Sequence, residues 1–330
     1  MSVELKALFS SFNNLTVLII GDVMIDSYLW GSVTRISPEA PVPIVDINKK
    51  NDRLGGAANV ALNIQAMGAK PILCSIIGND KNGKLFFDLL KKQKISSDQL
   101  VKSKQRSTTV KTRIIGNNHQ LIRVDEETNI PANKTEADKI IKNIKKIITE
   151  KKIDVIIFED YDKGCLTPTI INSVISLAAK EKIPIVVDPK KNNFWEYKNV
   201  TLFKPNLKEL KEGIQSDFDH NNIKELTEVV SAFIKKQKIE SALITLSDKG
   251  LYIHTNETKI IVPAHMRNIS DVSGAGDTVV SITALCIALK LSAVKTATLA
   301  NLSGGLVCEQ TGVVPINKKQ LFEEAVRLKL

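Results

Sequence analysis

Cysteine and aromatic residues are scarce in this chain, and several familiar signatures are missing altogether. Its four cysteines, Cys74, Cys165, Cys286 and Cys308, lie far apart with no CxxC pair. That argues against a zinc site or a disulfide framework and leaves buried thiols in a reducing compartment. The four histidines, His119, His220, His254 and His265, have no HExxH-like spacing, so they read as surface or core residues. No run of 18 apolar residues is present, and MSVELKALFSSFNN lacks the basic-then-apolar order of a secretory signal. A cytoplasmic protein with no membrane partner is expected. Aromatic residues are only 5%, and although the net charge is +10, many of the lysines, several as KK pairs, fall on helix-like stretches such as KIIKNIKKIITEKK (139–152). Such a solvated basic face attracts anionic metabolites and does not read as a nucleic-acid groove. GxxxxGK[ST] and GxGxxG are both absent, which disfavours a P-loop or a Rossmann dinucleotide site. No GxSxG elbow surrounds Ser273, so nucleophilic catalysis is unsupported.

What is present is an ordinary globular composition: 330 residues, 43% hydrophobic and 25% charged, enough for one large core or two modest domains. LTVLIIGDVMID (15–26) reads as a buried strand whose carboxyl end carries Asp22 and Asp26. DVIIFEDYDKG (154–164) and IPIVVDPKK (183–191) repeat that form, and VTLFKPNLKEL (200–210) and SALITLSDKG (241–250) follow it with polar or turn endings. Helix-like stretches lie between them at 57–68, 167–182 and 221–238, the alternation of a mostly parallel sheet covered on both faces. Two regions break the rhythm. Residues 28–50 hold three prolines among alternating β-type residues, and 107–127 looks like a hairpin turning near Gly116, Asn117 and Asn118. Together they are expected to form a small lid sheet over the strand ends, with an edge able to pair with a second subunit.

The chemistry concentrates where small residues precede helices. In DVSGAGDTVV (271–280), Gly274, Ala275 and Gly276 run into Asp277 at the start of an apolar helix-forming stretch. A Gly-rich turn there aims unpaired N–H groups and the positive end of the helix dipole at one spot, a phosphate-binding arrangement. The alternative is that Asp277 and Thr278 merely cap a buried helix. In RLGGAANVALNIQAMGA (53–69), Gly55 and Gly56 bare the main chain before a helix, and Asn59 offers donor and acceptor to a polyhydroxy ligand; packing alone is the other explanation.

Taken in order, GDVMID, GGAANVA, PNLKE and DVSGAGDTVV resemble the motifs of the ribokinase-like (PfkB) sugar kinases across nearly the whole chain. The resemblance implies an α/β fold, a three-layer αβα sandwich over 1–330 with the lid inserted in one kinase domain. Within that family, TRISPEAPVPIV, RLGGAANVALNI, HQLIRVDEE, FEDYDKG and VVDPKK resemble the kinase domain of bacterial ADP-heptose synthesis, which phosphorylates D-glycero-D-manno-heptose 7-phosphate at O1. By that likeness Asp277 is the general base, ionised with help from the helix dipole, and the N–H groups of Gly274, Ala275 and Gly276 form the anion hole. Asn206 and Glu209 match the NxxE motif, with Glu209 holding Mg²⁺ through water beside ATP. Thr245, Ser247 and Gly250 resemble the nucleotide loop, in which many relatives have glycine at the position of Ser247, and Asn301 and Gly305 fall near the adenine in such folds, with helix packing of ANLSGG (300–305) as the other explanation. Asp26, Asn59, Gly55 and Gly56, with Arg35 and Glu39 from the lid, are assigned to the sugar. Arg123, Lys163 and Lys190 are the expected clamp for its phosphate, with Asp160 and Asp188 bonding hydroxyls or orienting those cations.

The family also implies a homodimer and a monovalent cation near TGVVP (311–315). Since the chain stops near the end of the kinase region, adenylyl transfer is expected from another polypeptide. Other sugar or sugar-phosphate kinases of the same fold, and a non-catalytic sugar or nucleotide regulator, remain open as alternatives.

Overall fold

The structure, a computed structural model, describes residues 2–117 and 119–330. The chain runs from helix α1 (Ser2–Ser11) into strand β1 (Thr16–Gly21) and two long strands, β2 (Val23–Ile36) and β3 (Pro43–Gly56). It returns through α2 (Ala57–Ala66), β4 (Lys70–Gly78), α3 (Lys81–Lys92) and β5 (Leu100–Ser103), then adds β6 (Val110–Gly116) and β7 (His119–Glu126). The second half comprises α4 (Lys134–Glu150), β8 (Val155–Glu159), α5 (Pro168–Glu181), β9 (Ile185–Asp188), β10 (Leu202–Phe203), α6 (Leu207–Ile214), α7 (Ile223–Gln237) and β11 (Ser241–Thr245). A hairpin of β12 (Leu251–His254) and β13 (Lys259–Val262) and the helices α8 (Ala275–Ala288), α9 (Ala293–Cys308) and α10 (Lys318–Arg327) complete it. No helix among the described residues is long and apolar enough to cross a membrane.

Nine strands make one sheet in the order β13-β12-β11-β10-β9-β8-β1-β4-β5, parallel except where β12 and β13 turn back. Helices cover both faces, and β1 shows why its sequence is apolar at every position. Val17 and Ile19 pack into the core under α2 and α8, whereas Leu18 and Ile20 pack into the opposite core under α4 and α5. Strand order reverses between β1 and β8, and in open α/β sheets the crevice outside the carboxyl ends at such a point is where ligands bind.

A second sheet, β3-β2-β6-β7, stands over that edge. It accounts for the segments expected as a lid, although its strands begin at Val23 and run to Gly56, beyond the expected 28–50. The hairpin expected at 116–118 joins β6 to β7, with Asn118 outside the described residues. One expectation is corrected: 15–26 is not a single strand. Gly21 lies so close to the Glu159 carbonyl that a side chain has no room, and the Asp22 carboxylate turns to accept main-chain N–H bonds from Tyr161, Lys163 and Cys165. The chain therefore leaves the large sheet at Asp22, and Asp26 belongs to the lid. Strands β4, β5, β12 and β13 had no counterpart in the sequence reading.

Gly56 closes the lid excursion. It sits at φ 58°, and a Cβ there would lie 2.5 Å from the Asp22 carbonyl oxygen while the next residue begins α2. Gly56→Ala is expected to cost more than about 1 kcal/mol, because both conformation and space oppose the methyl group. A urea-unfolding midpoint equal to that of the wild type contradicts this account.

Candidate active site

The turn at 271–277 meets α2 and the strand ends at one buried carboxylate. Gly274, at φ 81°, caps α8, and no side chain accepts from the first N–H groups of the helix. Ala275 departs from the expected trio: its N–H donates to the Val272 carbonyl (3.3 Å) in the tight turn that starts the helix. From Gly274 to Asp277, the other three main-chain N–H groups, those of Gly274, Gly276 and Asp277, have no acceptor among the described residues. Their cluster at a helix N-terminus is suited to an anion.

Asp277 itself is 3% exposed. Its Oδ2 accepts from Asn59 Nδ2 (2.7 Å), on the first turn of α2, and its Oδ1 accepts from the Tyr161 hydroxyl (2.7 Å), in the loop after β8. Burial pushes the Asp277 carboxyl up to about 6, against the pull of those two bonds. The dipole-assisted lowering expected from the sequence is outweighed by desolvation. At neutral pH the group is still ionised, and its raised pKa makes it a better proton acceptor. Asn63, one turn beyond Asn59, accepts from Thr278 Oγ1 (3.0 Å) and from the Ile316 N–H (2.9 Å), locking α2 to α8.

The other predicted acids divide into distinct settings. Asp188, at the end of β9, is paired with buried Lys204 (2.8 Å), and this pair flanks Gly276: a Cβ there would be 3.8 Å from both Asp188 Oδ2 and Lys204 Nζ. Asp160 faces away from Asp277. Its carboxylate accepts from Tyr197 (2.6 Å), Asn193 (3.0 Å) and the Asp162 N–H (2.9 Å), so it orders the adjoining loops. Asp26 is bound to Arg113 (2.5 Å) on β6, and Gly55 opposite leaves the room that Asp26 fills.

The expected clamp does not gather as three free cations. Lys163 bonds Glu127 (2.8 Å), Arg123 makes a two-pronged pair with Asp125 (2.9 Å each), and Lys190 pairs with Glu209 while lying 5.4 Å from the centre of the Tyr161 ring. Arg35 and Glu39 are exposed at the far end of the lid. Arg35 is nine residues along β2 from Asp26, or roughly 30 Å at the usual strand rise.

On the other side of the turn, Thr245, Ser247, Gly250, Gly276, Asn301 and Gly305 line one cavity of about 540 Å³ with an open apolar wall of Met266, Ile269 and Val272. Ser247 keeps φ 55°, the left-handed conformation that favours glycine. Asn301 holds the Pro263 carbonyl (2.8 Å). Asn206 and Glu209 form a reciprocal cap on α6, each side chain bonding the other's N–H at 2.8 Å. Tyr161, Lys204, Arg113 and Arg53 were missed by sequence reasoning. Tyr161 and Lys204 lie within the quoted FEDYDKG and FKPNLKE stretches, but no spacing marks a tyrosine or lysine as a partner of a distant acid.

A parallel α/β sheet, a Gly-rich helix start against a buried acid and a cavity opening onto that start define a phosphotransferase that acts on a sugar hydroxyl. The chain matches the pfkB family carbohydrate kinases over residues 14–320 and belongs to that family. The bifunctional protein HldE of Geobacter metallireducens is 33% identical over 320 residues, 97% of this chain and 64% of that protein. The chain thus spans a little under two thirds of the length of the curated relatives it matches. Its ribokinase-like fold is shared with phosphofructokinase-2 from Escherichia coli in complex with potassium (TM-score 0.78, 18% identity, 95% of this chain and 99% of that one). The Arabidopsis thaliana ribokinase complexed with ribose and ATP is also similar (TM-score 0.71, 16% identity, 94% and 98%).

If Asp277 is the proton acceptor, kcat/KM falls as pH drops through about 6, since protonation removes the base. Tyr161→Phe removes a donor to the ionised form, so the acid limb of the pH profile is expected to move to higher pH. Asp277→Asn is expected to lose roughly 10²-fold or more in kcat with little change in substrate binding. An unshifted limb or wild-type turnover overturns these assignments.

Proposed function

We propose that this chain is an ATP-dependent kinase that phosphorylates O1 of D-glycero-β-D-manno-heptose 7-phosphate, giving the 1,7-bisphosphate in the cytoplasm on the way to ADP-heptose. The observation that carries the kinase chemistry is the position of Asp277 between the nucleotide-sized cavity and the lid, beside three unpaired N–H groups. The heptose assignment rests on the lid and strand-end stretches TRISPEAPVPIV, HQLIRVDEE, FEDYDKG and VVDPKK, and similarity to bifunctional HldE proteins supports it.

In the proposed reaction Asp277 removes the proton from the O1 hydroxyl as that oxygen attacks the γ-phosphorus of ATP. The bond from phosphorus to the bridging oxygen breaks, ADP leaves, and the N–H groups of Gly274, Gly276 and Asp277 neutralise the charge on the transferring group. Asn59 and Tyr161 fix the orientation of the Asp277 carboxylate throughout.

Mg²⁺ keeps several waters and takes phosphate oxygens, so a single carboxylate acting through water is chemically sufficient on the protein side. Glu209 would act on it only through water, since Oε2 caps α6 and Oε1 is paired with Lys190. When bound, Mg²⁺ supplies charge neutralisation at the phosphates. In the 311–315 segment the carbonyls of Thr311 and Val313 already accept from the Arg53 guanidinium (3.1 and 2.9 Å), whose positive charge makes these two a poor fit for a monovalent cation.

A coupled ADP-release assay with heptose 7-phosphate, fructose 6-phosphate, ribose and fructose tests the substrate. Clear preference for heptose 7-phosphate is expected; stronger turnover of another sugar moves the chain to a different kinase of the same family. We further propose a homodimer built through the lid, whose outer strands and tip expose Ile36, Val42, Ile47, Leu121, Ile122 and Val124. Light scattering is expected to give twice the chain mass, and a monomer at every concentration rejects the dimer.

A further inference from the structure

Four cations stand on one face of the lid. Arg53, Asp26, Lys111 and Asp125 are in register across β3, β2, β6 and β7; two residues along, Asn51, Tyr28, Arg113 and Arg123 repeat the row. Side chains in such rows share a face, and this face looks onto the body. Tyr28 Oη accepts from the Val313 N–H (3.0 Å), Arg53 reaches the carbonyls at 311 and 313, and Lys111 Nζ lies 5.9 Å from the centre of the Tyr161 ring.

Three of the four cations are spent. Arg53 holds main-chain carbonyls, Arg113 holds Asp26 and Arg123 holds Asp125 with both prongs. Lys111 makes no hydrogen bond or ion pair among the described residues, and the acids around it are committed: Asp26, in register with it, to Arg113, Asp125 to Arg123 and Glu127 to Lys163. A half-buried ammonium with no acceptor is a costly arrangement unless an anion arrives to complete it. Burial, the largest influence, lowers the Lys111 pKa, with Arg123 and Lys163 adding to the effect and Asp125 and Glu127 opposing it. Tyr161 stands between the two groups: its hydroxyl bonds Asp277 and the centre of its ring is 5.9 Å from Lys111 Nζ, so a ligand that touches both passes along the tyrosine. A sugar that presents a hydroxyl at one end and a phosphate at the other meets that requirement.

We propose that Lys111 holds the phosphate of the acceptor sugar, with Lys163 and Arg123 beside it, and thereby sets the preference for a phosphorylated acceptor. The inference rests on the kinase reading above and replaces Lys190, which is engaged with Glu209, as the principal cation of the clamp. Lys111→Met is expected to lower kcat/KM for heptose 7-phosphate by roughly 10²-fold, chiefly through KM, as loss of a charged contact does. The preference over unphosphorylated heptose should shrink by the same factor, and Lys111→Arg should restore part of it. Independently of turnover, acylation of Lys111 in the wild-type protein, followed by peptide mass spectrometry, should be slowed by inorganic phosphate and by heptose 7-phosphate but not by heptose. If the wild type prefers the phosphorylated sugar and Lys111→Met keeps that preference, this inference fails and the substrate reading stands. A wild type indifferent to the phosphate, with Lys111 labelled equally in all conditions, overturns both.

Discussion

The site depends on one buried carboxylate that takes no part in the proposed chemistry. Asp22 ends the first strand and accepts three main-chain N–H bonds, from Tyr161 and Cys165 at 2.9 Å and from Lys163 at 3.1 Å. This fixes the loop after β8 against the point where the chain departs for the lid. Tyr161 is thereby aimed at Asp277, and Lys163 is presented to the acidic edge of β7. Desolvation raises the Asp22 pKa, and the three donors act against it. Acceptance of several backbone bonds is how a buried carboxylate is made tolerable without a cation in contact.

A second constraint is the concentration of acids along the carboxyl edge of the sheet. Glu159, Asp188 and Asp277 are all buried, and among the described residues neither carboxylate oxygen of Glu159 has a hydrogen-bond partner. Burial, followed by the charges of Asp188 and Asp277, raises the Glu159 pKa well above the usual range, which favours its uncharged form beside the base. Lys204 answers Asp188 directly. The edge that receives an anionic nucleotide in the proposed reaction therefore carries less negative charge than its acids suggest.

The large sheet was legible because fully buried parallel strands are written as continuous apolar runs with polar ends, as at 154–164, 183–191 and 241–250. The reading failed where a strand continued past such an end. Val23 to Ile25 is as apolar as the run before it, and only the space required at Gly21 and the bonds to Asp22 divide the two sheets. The Gly-rich helix start stood out because glycine and acid are adjacent in sequence. The partners of the acids did not, since Tyr161, Lys204 and Arg113 meet Asp277, Asp188 and Asp26 only through tertiary folding. Lys190 was expected in the phosphate clamp, and sequence carries no record of Glu209 closing on it. The NxxE pattern, in turn, describes a helix cap as well as a ligand-facing acid, and the structure holds both groups in that cap.

Of the small residues at the start of α8, Gly276 is unlike Gly274. Gly274 has a left-handed backbone and crowding from Asn59, so the fold itself asks for glycine there. At Gly276 an added methyl group would meet nothing closer than 3.8 Å, and the space it would enter borders Asp188 and Lys204. The folded chain has no use for that emptiness; in the proposed reaction a phosphoryl group does. A screen that scores only stability would pass alanine at 276, which makes this position a place where requirements of folding and of turnover separate cleanly.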